Sequence, residues 1–81
     1  MNVVMKHISG TAKDNLEHAK EEMNKVLAFR GNVISANANG QEIILKLAIN
    51  PKWKNEDKVG YLKQWIQAKV KSVFEVISVS V

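Results

Sequence analysis

Apolar and polar residues alternate on both sides of Asn39-Gly40, and the hairpin this pattern predicts spans residues 32–49. Asn-Gly is the dipeptide favoured in a two-residue type I′ turn, because both central positions need a positive φ. With that turn Ala38 faces Gln41, Ala36 faces Ile43 and Ile34 faces Leu45. Ile34, Ala36, Ile43, Leu45, Leu47 and Ile49 then share one side of the ribbon. The other side receives Val33, Ser35, Asn37, Glu42, Ile44, Lys46 and Ala48.

The flanking segments carry their own signals. Residues 2–8 are rich in β-branched side chains, end at Ser9-Gly10 and read as a strand covered on much of both faces. Thr11 to Asp14 has the spacing of a capping box, with Thr11 as the cap. Leu16, Ala19, Met23, Val26 and Leu27 then recur at helical spacing, opposite Lys13, Glu17, Lys20, Glu21 and Lys25. Phe29-Arg30-Gly31 is expected to close that helix, with Gly31 just past its end. After the hairpin Pro51 bars further ladder pairing, and Asn55 or Asp57 caps a second helix. Its core stripe is Val59, Leu62, Ile66, Val70 and Val73, and it is expected to run to about Phe74. Glu75 to Val81 alternates Ile77, Val79 and Val81 with Ser78 and Ser80, as a terminal strand does.

The order β-α-β-β-α-β predicts one small α+β domain over residues 1–81, a ferredoxin-like split sandwich. Its four-stranded antiparallel sheet would have the order 4-1-3-2, with two helices on one face.

Composition narrows the function classes more than it selects one. The absence of cysteine removes disulfides, thiolate metal sites and cysteine nucleophiles. No apolar run approaches the about 20 residues that span a bilayer, so a cytoplasmic location without a membrane partner is the default expectation. The net charge of +4 has its surplus in residues 41–81, where seven lysines face four acids, and it permits a nucleic-acid partner.

Searching the same elements for chemistry gives mostly negative results. RNA-recognition-motif proteins share this element order and stack bases on aromatics of the third strand, yet Gln41 to Leu47 contains none. All the aromatic residues fall outside the expected strands. The loop His7 to Thr11 lacks the paired cysteines of a heavy-metal-associated domain and the phosphate-loop arginine of an acylphosphatase. His7 or His18 beside Ser9 or Thr11 would make a base and nucleophile, but no spacing specifies a third member. His18 with Glu21 or Glu22 supplies only two metal ligands. The expectation is therefore no catalytic residue, no cofactor and no metal.

Surfaces carry the remaining signals. Tyr61, Trp65 and Ala68 line up at i, i+4 and i+7 off the core stripe, rimmed by Lys58, Gln64 and Lys69, and form a candidate protein interface. The competing reading has Trp65 folding onto the sheet rim. Val79 and Val81, on a lightly charged edge strand, form a second candidate interface. The leading expectation is a non-enzymatic protein-binding or assembly module that self-associates as a homodimer, through the outer face of helix 2, the sheet face or the terminal edge strand. The alternative is nucleic-acid binding through Lys52, Trp53, Lys54, Lys58, Lys69 and Lys71, where charge neutralises phosphates and an indole stacks a base.

Overall fold

The computed structural model describes residues 1–70 and 72–81. Six elements follow in the expected order: β1 (Asn2–His7), α1 (Leu16–Leu27), β2 (Gly31–Asn39), β3 (Glu42–Ile49), α2 (Lys58–Val70) and β4 (Phe74–Ser80). The strands form one antiparallel sheet in the order β2-β3-β1-β4, an α+β arrangement of ferredoxin-like type. Val3 and Met5 of β1, Ile43, Leu45 and Leu47 of β3, and Phe74 and Val76 of β4 join Ala19, Met23, Val26 and Leu27 of α1 and Leu62, Ile66 and Val70 of α2 in one core. Both helices therefore lie on the same side of the sheet. The opposite face is mixed: Asn37 pairs with Ile44, Ser35 with Lys46 and Lys6 with Glu75, while Val4 and Ile44 form an apolar pair between the two central strands.

The Thr11–Asp14 pairing forms as its spacing indicates, but it precedes a 3-10 turn (Lys13–Asn15), and α1 itself starts only at Leu16 with no side-chain cap. Asp14 donates its amide to Thr11 Oγ1 at 3.3 Å, and that hydroxyl donates to Asp14 Oδ2 at 2.9 Å. Asp57 caps α2, with Oδ1 accepting the Gly60 amide at 3.0 Å, while Asn55 Oδ1 accepts the Asp57 amide at 3.0 Å.

Four expectations are corrected. First, the hairpin turn is Gly40-Gln41: Asn39 pairs with Glu42, Ala38 with Ile43 and Ala36 with Leu45. Of the two turn residues only Gly40 takes a positive φ, +62°, as the first central residue of a type II′ turn requires. Moving a two-residue turn by one position leaves the same residues on each face, so the apolar alternation does not distinguish the two registers.

Second, a bulge between Val33 and Ser35 leaves Ile34 without a partner. Val33 turns into the core, 6% exposed, and Ile34 faces outward at 55%. Third, α2 ends at Val70 and Phe74 opens β4, fully buried, so one aromatic does lie in a strand. A second bulge, where Val4 pairs with Ser78 but Met5 with Val76, changes which β4 residues face the core. Phe74, Val76 and Val79 point inward while Ile77 is exposed.

Fourth, Gly31 is the first residue of β2, with extended backbone. The irregular residue at the end of α1 is Ala28, with φ +52° and ψ −122°. Its amide closes on Asn24 O, and Ala28, Phe29 and Arg30 form a single 3-10 turn into β2. That conformation costs an L-residue on the order of 1–2 kcal/mol. Ala28→Gly is therefore expected to stabilise the fold by about 1 kcal/mol after the entropy of the added glycine is offset, raising Tm by several degrees. A thermal melt that shows the variant less stable than the parent contradicts this account of the turn.

Candidate protein-binding surface

The strained turn and α2 together build the most unusual surface of the molecule. Trp53, in the loop before α2, meets Tyr61 edge to face at 5.5 Å, and Tyr61 meets Trp65 at 5.3 Å. Trp53 and Trp65 also pack partly against the core. The Arg30 guanidinium lies 4.4 Å from the Trp65 ring, 4.6 Å from Phe29 and 5.7 Å from Tyr61. Contacts of this kind between arginine and ring faces contribute about 0.5–2 kcal/mol each. Phe29 itself is 73% exposed.

Local hydrogen bonds fix this geometry. Asn50 donates its backbone amide to Arg30 O at 2.7 Å and its side-chain amide to Phe29 O at 3.1 Å. Asn50 Oδ1 in turn accepts the Lys52 amide at 3.0 Å. One side chain thereby ties the turn after α1 to the loop that delivers Trp53. Gly31 contributes by having no side chain, since a Cβ there would meet Ala48 O of β3.

Tyr61, Gln64, Trp65 and Ala68 line a shallow groove on α2, the strip read from the sequence. Trp65 packs partly against the core, as the competing reading expects, and also lines the groove. Phe29 and Arg30 were not among the candidate residues. An aromatic and the chain's only arginine, adjacent and beyond the end of the α1 stripe, were the available signal.

The other candidates are less assembled. Lys58 Nζ lies 5.7 Å from the Trp53 ring, with Lys52 and Lys54 exposed nearby in sequence. Lys69 is three helical turns from Lys58, about 16 Å along the axis, and borders Glu22, Lys25, Val26 and Trp65 instead. Lys71 lies outside the described residues. Val79 packs against the core, and Val81 is almost fully exposed beyond the strand.

Both sheet edges are partly occupied. Asn24 of α1 accepts the Val33 amide at 2.8 Å. Gln67 of α2 accepts the Val76 amide at 3.0 Å and donates to Phe74 O at 3.4 Å. With a bulge in each edge strand as well, β2 and β4 have the features that discourage pairing with another chain.

The histidines meet at Phe74, whose ring receives His7 at 5.1 Å and His18 at 5.2 Å. His7 Nδ1 accepts the backbone amides of Ser9 at 3.2 Å and Gly10 at 2.7 Å. The Thr11 hydroxyl is engaged with Asp14, and His18 Nε2 lies 3.8 Å from Glu22 Oε1. Among the described residues, no group of three or more metal-ligating side chains converges. Among the described residues, no helix is long and apolar enough to cross a membrane.

Comparison with protein-family models, curated proteins and solved structures found no match for this chain.

Proposed function

We propose that this chain is a non-enzymatic protein-binding module that self-associates through the surface made by Phe29, Arg30, Tyr61, Trp65 and Ala68. The observation that carries the reading is Phe29, a large apolar side chain left 73% exposed beside an arginine stacked on Trp65. Aromatic residues and arginine are the types enriched at the energetic centres of interfaces. The helix layer is favoured over the β4 edge because Gln67 already occupies part of that edge. It is favoured over the open sheet face because the exposed isoleucines, Ile34 and Ile77, lie on opposite edge strands, with Lys46, Lys6 and Glu75 paired across the face between them.

Phe29→Ser is the suitable probe, since an exposed side chain contributes little to the core. It is expected to weaken self-association at least 10-fold, about 1.4 kcal/mol, in sedimentation equilibrium. Unchanged association in the variant, or a monomer throughout for the parent, contradicts the proposal.

A second reading, single-stranded nucleic-acid binding, is favoured by Lys58 over Trp53 beside Lys52 and Lys54. It is weakened by the aromatic packing, because Tyr61 and Arg30 cover ring surface that a base would need. A saturable, salt-sensitive change in tryptophan fluorescence on adding short oligonucleotides would favour it.

A further inference from the structure

Arg30 is half-buried and held against aromatic rings, and among the described residues no carboxylate lies within ion-pair distance of it. The two ion pairs among the described residues both involve Glu22, with His18 and Lys25. Stacking takes up the face of a guanidinium and leaves its in-plane N–H donors, which match the two oxygens of a carboxylate. The rings restrict the side chain before any partner arrives, and Asn50 holds the backbone that carries it, so less rotamer entropy is lost on pairing. Tyr61, Trp65 and Ala68 offer apolar surface next to it.

We infer that Arg30 is a carboxylate receptor, pairing with an aspartate or glutamate of a second copy of this chain whose neighbouring apolar side chain lies on Phe29 and the α2 groove. This inference rests on the protein-binding reading above and adds the chemistry of the contact. Positive charge around the site agrees with it: Lys69 and Lys25 border Trp65, where Glu22 is the one acid and is already paired.

The test is a ¹⁵N NMR titration that follows the Arg30 Nε–H, the Trp65 Nε1–H and the Phe29 amide. The probes are the capped tetrapeptide Leu-Glu-Leu-Leu, its Leu-Gln-Leu-Leu counterpart and an oligothymidylate. The glutamate peptide is expected to give saturable shifts at all three groups, with at least fivefold weaker binding for the glutamine peptide. Arg30→Gln should abolish the shifts. Arg30→Lys, which keeps the charge and loses the planar fork, should weaken them severalfold. Equal response to both peptides, no response, or a response unchanged in Arg30→Gln overturns the inference. Tighter binding of the oligothymidylate through the same groups also overturns it, by assigning Arg30 to phosphate. Sedimentation separates the two levels: if Phe29→Ser weakens association and Arg30→Gln does not, the carboxylate assignment fails while the binding-module reading stands.

Discussion

Replacing Phe74 with alanine is expected to cost about 3–5 kcal/mol of folding free energy, the range for removing a fully buried phenylalanine. Phe74 has no exposed surface, and two histidine rings pack against it edge-on. Those rings come from β1 and α1, so the loss spreads through three elements. At about 0.05–0.15 kcal/mol per residue, a domain of this size has a total stability of roughly 4–12 kcal/mol. The variant should therefore be largely unfolded at the lower end of that range and show a much lower urea midpoint at the upper end. Phe74→Leu, which keeps most of the volume, should lose only about 1–1.5 kcal/mol. Urea melts with matched m-values decide the matter, and a loss below 1 kcal/mol for the alanine variant would show that Phe74 is not the centre of this core.

Gly31→Ala is the second large effect, and its cause is a close approach between strands. The added Cβ would meet Ala48 O and crowd Ile49 Cα at 3.2 Å. These are backbone atoms of β3 and cannot rotate away. Gly31 already has extended backbone, so the small entropic gain of a Gly→Ala change applies, about 0.4–1 kcal/mol. The clash outweighs it, and a net loss of about 1–3 kcal/mol is expected. Because Arg30 O accepts the Asn50 amide next to this contact, the substitution should also displace the turn carrying Phe29 and Arg30. Equilibrium unfolding measures the first effect, and the Trp65 Nε1–H chemical shift reports the second. A variant as stable as the parent would mean that the strands separate there at no cost.

The element order, the sheet order and most of the core were legible because the helical stripes and strand alternation follow periods fixed by backbone geometry. The α1 stripe from Ala19 to Leu27 is buried as its spacing requires. What escaped were single-residue events that leave the period on each side intact. The bulge at Ile34 exchanged Val33 for Ile34 in the core, and the one between Val4 and Met5 moved the inward set of β4 to Phe74, Val76 and Val79. Phe74 continued the apolar pattern of α2 well enough to be read as its end. Tyr61, Trp65 and Ala68 were found because they share a helix face. Phe29 and Arg30 join them only through a turn at Ala28, whose positive φ is uncommon for alanine and leaves no mark in the sequence.

The strand edges are more protected than the surface of α2. Edge strands with Val79 and Val81 looked open in one dimension. In three, Gln67 and Asn24 reach across from the helices to bond edge atoms, and the side chain of Val79 turns inward. Phe29, by contrast, is held outward by hydrogen bonds whose acceptors and donors are all local to the turn and Asn50.

The central claim is that this chain meets its own kind through the Phe29, Arg30 and α2 surface. The most direct measurement is a dilution series of ¹⁵N-labelled protein followed by NMR from micromolar to millimolar concentration. Concentration-dependent shifts confined to Phe29, Arg30, Tyr61, Gln64, Trp65 and Ala68 are the predicted result. Shifts that map to β4 or to the open sheet face, or spectra that do not change with concentration, would contradict it.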